Sequence, residues 1–118
     1  MFSVLLIDDD PDVRALMAVV LKRLGCEALF APNGVEGQAL ALQAQPDLIL
    51  LDIMMDGQNG YETCANLRAQ GYAGTIMLVS AISEDKGQLE AEICGADGYW
   101  QKPVTLQFLR ERIAVWQS

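Results

Sequence analysis

The chain has 118 residues with 8 Lys+Arg against 16 Asp+Glu, no histidine and a formal net charge of −8. That length predicts one domain able to bury a real core, and 52% hydrophobic with 20% charged residues excludes a disordered chain. An acidic balance with no basic stripe argues against duplex nucleic acid as a direct partner, and the absence of histidine excludes a histidine nucleophile, a histidine base and an internal phosphohistidine.

In chain order, SVLLI (3–7) is a short β-rich run. Asp10-Pro11 then reads as an N-cap with proline at the first helical position. The helix that follows carries Val13, Leu16, Met17, Val20, Leu21 and Leu24 at helical spacing and stops at Gly25. EALFA (27–31) predicts a second strand, PNG (32–34) a turn, and 34–45 a helix stopped before Pro46. LILLD (48–52) is apolar on both faces, as a central parallel strand should be. The loop IMMDGQNG leads to a helix over 61–70 that ends at Gly71. TIMLVS (75–80) is the fourth strand, 84–94 a helix ending at Gly95, GYWQK (98–102) the fifth strand, and Thr105 caps a last helix over 106–116.

Strands alternating with helices predict an α/β fold: (βα)5, a doubly wound five-stranded parallel sheet of the flavodoxin-like order 2-1-3-4-5, as one domain over 1–118. The apolar stretches are far short of a membrane span and no signal peptide is visible, so the expected compartment is the cytoplasm, without membrane insertion. Cys26, Cys64 and Cys94 lack metal-ligand spacing and read as small buried or half-buried thiols. Met17, Met54, Met55 and Met77 read as core and loop filler, and Trp100 as a half-buried core aromatic.

In open α/β sheets ligands bind beyond the carboxyl ends of the strands, at the point where strand order reverses. That rule gathers Asp8 and Asp9 from the first strand, Asp52 from the third, Ser80 from the fourth and Lys102 from the fifth. Clustered carboxylates repel one another and suit a hard cation such as Mg2+. Ser80 and Lys102 could hydrogen-bond and neutralise phosphoryl oxygens, and an aspartate can itself be the nucleophile that forms an acyl phosphate. Each residue taken alone has an ordinary reading: a helix start with an acidic rim, a loop acid, a strand-end hydroxyl, a surface lysine. Their joint placement gives the pattern its meaning.

With these pieces in order, LLIDDDPDVR, PDLILLDIMMDGQNGYE, MLVSA and GADGYWQKPV, the chain resembles the receiver domain of two-component response regulators, chemotaxis regulators included, over nearly its whole length. The resemblance implies that Asp52 accepts a phosphoryl group from a sensor histidine kinase or a histidine phosphotransfer protein. It implies that Asp9, Asp52 and the backbone carbonyl of Met54 ligate Mg2+ (with Mn2+ as a substitute), with Asp8 acting mainly through water. Ser80 would be the switch hydroxyl, Tyr99 the aromatic that moves with it, and Lys102 the phosphoryl partner, joined to Pro103 by a cis bond. Asp10 is left as the helix cap.

The domain would then be a signalling switch rather than an enzyme, one that catalyses only its own phosphorylation and slow dephosphorylation. Its downstream target would read the face of helix 84–94, strand 98–102 and helix 106–116; a homodimer through that face is common in the family and is left open by these residues. Two rivals are weaker. Phosphatases resembling the haloacid dehalogenase family carry a second acid two residues after the nucleophile, where Met54 stands here. A receiver-like scaffold that binds without phosphorylation would not need the intact set of acids, hydroxyl and lysine. The sequence departs from the family at Asp56, where proline is typical, and at Ser80, where threonine is commoner. Met54 and Ile82 are apolar at positions that tune phosphoryl loss, which predicts a long-lived acyl phosphate.

Overall fold

The computed structural model describes residues 1–54 and 59–117. Five strands and five helices alternate: β1 (Ser3–Ile7), α1 (Pro11–Arg23), β2 (Glu27–Ala31), α2 (Gly34–Ala44), β3 (Leu48–Asp52), α3 (Gly60–Ala69), β4 (Thr75–Ser80), α4 (Glu84–Cys94), β5 (Gly98–Gln101) and α5 (Leu106–Gln117). The strands form one parallel sheet in the order β2-β1-β3-β4-β5, as the alternation predicts. Boundaries differ from the expected ones by a residue or so: β5 ends at Gln101, leaving Lys102 in the loop, and α3 begins at Gly60.

Alternation along the strands divides the core in two. Leu5, Ile7, Ile49, Leu51, Ile76 and Leu78 face Ala41 of α2, Cys64 and Leu67 of α3 and Ala91 of α4. Val4, Leu6, Leu48, Leu50, Met77 and Val79 face Met17 and Leu21 of α1 and Leu109 and Ile113 of α5. Every residue of β3 is buried, as its unbroken apolar run requires of a strand covered on both sides. One helical position departs from its expected place: Leu16 is 65% exposed, because α1 buries only the narrower stripe through Met17 and Leu21. Trp100, expected to be half-buried, is closed over by Phe108 edge-on at 5.1 Å and by Trp116 stacked at 5.7 Å.

The caps follow the local chemistry. Asp10, Asn33, Asn59 and Ser83 each accept an N–H of the helix they precede, and Thr105 Oγ1 accepts that of Phe108. Gly95, at φ +90°, ends α4 in the left-handed region where glycine pays no steric penalty.

Candidate functional site

β1 and β3 are neighbours, with Ile7 opposite Leu51. Asp8 follows β1 directly and Asp52 closes β3, so backbone pairing alone sets two aspartates side by side at the carboxyl edge of the sheet. Both are buried, at 2% and 6% exposure, while Asp9 is exposed. An oxygen from each of Asp8, Asp9 and Asp52 lies within 4.8 Å of the others, so this cluster could hold a metal ion. Divalent cations with oxygen ligands fit such a donor set, because like charges held this close need a counter-charge.

The loop that presents these acids is tied down on both sides of Asp9. The Asp8 N–H donates to Ala31 O at 3.1 Å, Asp8 Oδ1 accepts the Asp10 N–H at 2.9 Å, and the Asp8 carbonyl accepts Nη1 of Arg14 at 2.7 Å. Asp10 turns its own carboxylate to the Asp12 N–H at 2.9 Å, capping α1. Within the run of three acids, Asp8 and Asp9 contribute oxygens to the cluster, and Asp10 caps α1 as expected. Arg14 was not foreseen; its only sequence signal is a place one helical turn beyond Asp10.

Asp52 Oδ1 accepts the Met54 N–H at 3.1 Å. Gly60 brings the start of α3 against the same backbone: a side-chain carbon there would come within 2.7 Å of the Asp52 carbonyl oxygen, so only glycine allows the approach. The Met54 side chain is 69% exposed. Asp56 lies outside the described residues.

Lys102 reaches in from the loop after β5. Its Nζ lies 3.6 Å from Asp52 Oδ2 and 3.7 Å from Asp8 Oδ2, its N–H donates to Ser80 O at 2.7 Å, and its bond to Pro103 is cis. Asp52 titrates above the ordinary aspartate range. Burial is the main cause and the Asp8 charge adds to it, while Lys102 and the Met54 N–H pull it back and Asp9 pushes it further up.

Ser80 closes β4, is buried, and pairs with Gln101 of β5. The buried Tyr99 hydroxyl lies 2.7 Å from both the Ser80 and Ile82 carbonyls, two acceptors for one proton. Burial raises the Tyr99 hydroxyl and Tyr61 adds to the rise, against the pull of Ser80. The structure thus brings Asp8, Asp9, Asp52 and Lys102 together at one edge, with Ser80 and Tyr99 coupled to each other beside them. A cavity of about 450 Å³ opens next to the cluster, where Asp8, Asp52 and Lys102 join an otherwise apolar lining that includes Leu16 and Val104.

A family model for the response regulator receiver domain matches residues 4–114. The chain is 34% identical over 112 residues to the DNA-binding dual master transcriptional regulator RpaA of Synechocystis sp., covering 93% of this chain and 46% of that protein. It is 32% identical over 115 residues to the protein PilH of Pseudomonas aeruginosa, covering 96% of this chain and 95% of that one. The chain thus spans about half the length of the first curated relatives it matches, which it covers to 46%, 49% and 47%. Among solved structures, the chemotaxis protein CheY4 of Vibrio cholerae aligns with a TM-score of 0.90 at 26% identity over 98% of both chains. The BeF3-activated N-terminal receiver domain of RstA from Klebsiella pneumoniae aligns at 0.86 and 29% identity over 96% of both. Matched by the receiver model over nearly all its length, and by relatives above 30% identity, the chain belongs to the response regulator receiver domain family.

Proposed function

We propose that this chain is a single receiver domain that works as a phosphorylation switch in a two-component relay, with Asp52 as the phosphoacceptor. A carboxylate oxygen of Asp52 attacks the phosphorus of a phosphohistidine on a sensor kinase or histidine phosphotransfer protein. The P–N bond breaks, the imidazole leaves, and an acyl phosphate forms. Asp9, Asp52 and the Met54 carbonyl, with Asp8 through water, would hold Mg2+ or Mn2+, which supplies charge neutralisation to the transferring phosphoryl group. Lys102 pairs with a phosphoryl oxygen, and the Ser80 hydroxyl donates to another.

As Ser80 turns to the phosphoryl group, the strand end whose carbonyl holds the Tyr99 hydroxyl shifts with it, and the ring leaves its buried place. That biases the face of α4, β5 and α5 toward a conformation already in the ensemble, which a downstream partner reads. Leu89 and Ile93 of α4 and Val115 of α5 are large apolar residues exposed on those helices. We place the domain in the cytoplasm; among the described residues no helix is long and apolar enough to cross a membrane.

The observation that carries this reading is one lysine ammonium within 4 Å of two buried aspartates at the carboxyl edge of a parallel sheet. Incubation with acetyl phosphate and Mg2+, read by intact mass, tests it. Gain of one phosphoryl group, lost in EDTA and in Asp52→Asn, is expected. No gain by a folded protein, from either acetyl phosphate or a phosphohistidine donor, would leave a scaffold that binds without being phosphorylated.

A further inference from the structure

Two of the three thiols meet between α3 and α4, away from the carboxylate edge. Cys64, on the inner face of α3, has 0% exposure, and Cys94, the last residue of α4, is half-buried. Cys64 Sγ lies 3.4 Å from the Cys94 carbonyl oxygen, and Cys94 Sγ donates to the Ala91 carbonyl at 3.7 Å.

A separate set of contacts fixes this meeting. Arg68 sits one turn along α3 from Cys64, on the same helical face. Its Nε donates to Gly95 O at 2.8 Å and its Nη2 to Asp97 Oδ2 at 2.9 Å, while Nη1 donates to Tyr72 O and Gly74 O at 2.9 and 2.8 Å. The residue after Cys94 is therefore bound to the same helix that carries Cys64. A guanidinium clamp thus fixes the end of α4, where Cys94 lies, against the helix that carries Cys64.

Their protonation is unequal. The neighbouring Cys64 thiol draws the Cys94 thiol down to about 7, aided by the amides of Ala96 and of Cys94 itself and opposed by burial and Glu90. The carbonyl end of α4 opposes it too. The same contact, then burial, pushes the Cys64 thiol up. Cys26 lies elsewhere, and burial alone raises its thiol.

We propose that Cys64 and Cys94 are an oxidisable dithiol, which hydrogen peroxide converts to an intramolecular disulfide joining α3 to the end of α4. The Cys94 thiolate attacks one peroxide oxygen; the S–O bond forms, the O–O bond breaks, and the leaving hydroxide takes up a proton to become water. Cys64 then attacks the sulfenic sulfur of Cys94; the S–S bond forms, the S–O bond breaks, and the departing hydroxide takes the Cys64 proton. Two electrons pass from the sulfurs to the peroxide, which ends as two waters. The partly exposed thiolate is the attacking group and the buried thiol the resolving one. None of this depends on phosphorylation of Asp52.

Reduced protein freed of reductant is titrated with hydrogen peroxide and followed by intact mass and non-reducing tryptic mapping. No Lys or Arg separates Cys26 from Cys64, so the mapping is repeated in Cys26→Ser to make the linkage unambiguous. The expected result is loss of two hydrogens per chain, one link between the peptides carrying Cys64 and Cys94, reversal by dithiothreitol, and no link in Cys94→Ser. Cys64→Ser should stop at a dimedone-trappable sulfenic acid on Cys94; if that variant fails to fold, Cys94→Ser carries the control. Thiols left free, Cys94 driven to sulfinic acid without a link, or a link through Cys26 or between chains would each overturn the proposal.

Discussion

The ammonium of Lys102 stands 3.6 Å from the carboxylate of Asp52, close enough to oppose, without cancelling, the rise that burial and Asp8 impose on it. The sign for stability follows. An acid whose folded pKa is raised prefers to be protonated in the folded state, so folding loses stability as pH climbs from the unfolded value of about 3.9 through the folded one, and the loss is complete above it. Asp52→Asn should therefore stabilise the metal-free protein at neutral pH, raising Tm by roughly 4 °C per kcal/mol of relieved repulsion. The gain should shrink as pH falls through the folded pKa of Asp52. Melting curves in EDTA between neutral and acid pH check this, and a variant less stable at neutral pH would contradict it.

Mg2+ should stabilise the domain by mass action, since the unfolded chain does not assemble the three acids. At a concentration 100 times Kd the expected gain is about 2.7 kcal/mol. Asp9→Ala removes an exposed residue of the cluster with little packing loss and should abolish the Mg2+-dependent thermal shift. An undiminished shift would show that the ligands are elsewhere.

Gly87 of α4 leaves the space that the Tyr99 ring fills; a side-chain carbon there would overlap the ring at Cδ2, Cε2 and Cγ. Gly87→Ala should force the ring out of its buried place and weaken its bonds to the Ser80 and Ile82 carbonyls. Overpacking costs typically about 1–3 kcal/mol, here offset in part by the better helix propensity of alanine, about 1 kcal/mol. A ring-labelled tyrosine resonance at Tyr99 that moves toward solvent-exposed values checks this; an unmoved ring would mean that α4 shifts instead.

Met54 and Ile82 are apolar at the positions that the resemblance assigns to tuning phosphoryl loss, and an apolar side chain cannot orient an attacking water. The acyl phosphate should persist for minutes or longer in the isolated domain. Decay of the phosphorylated mass after removal of acetyl phosphate measures it, and a half-life of seconds would contradict the assignment. Ile82→Glu, which supplies a group able to hold a water, should shorten the lifetime.

The order of elements was legible because strand runs, helical stripes and caps such as Asp10 and Thr105 are local signals, and the parallel order carried Asp8 and Asp52 to one edge. What the residues could not reveal is set at long range. Arg68 meets Asp97 29 positions away, and no local pattern marks that pair. Gly60 and Gly87 each make room for a backbone or ring from another element, which a single glycine in a sequence does not announce. Leu16 has the spacing of a core residue and lies exposed, because the width of the stripe a helix buries is set by what packs on it. The contact between Cys64 and Cys94 was hidden for the same reason, since their spacing alone suggests two ordinary small residues.

Borohydride trapping tests the central claim most directly. The protein is incubated with acetyl phosphate and Mg2+, reduced with borohydride, which converts an aspartyl phosphate to homoserine, and mapped by peptide sequencing. Homoserine at position 52, absent without Mg2+ and absent in Asp52→Asn, is the predicted result. Homoserine at position 8 or 9, or none in a folded protein that binds Mg2+, would contradict the assignment of Asp52 as the phosphoacceptor.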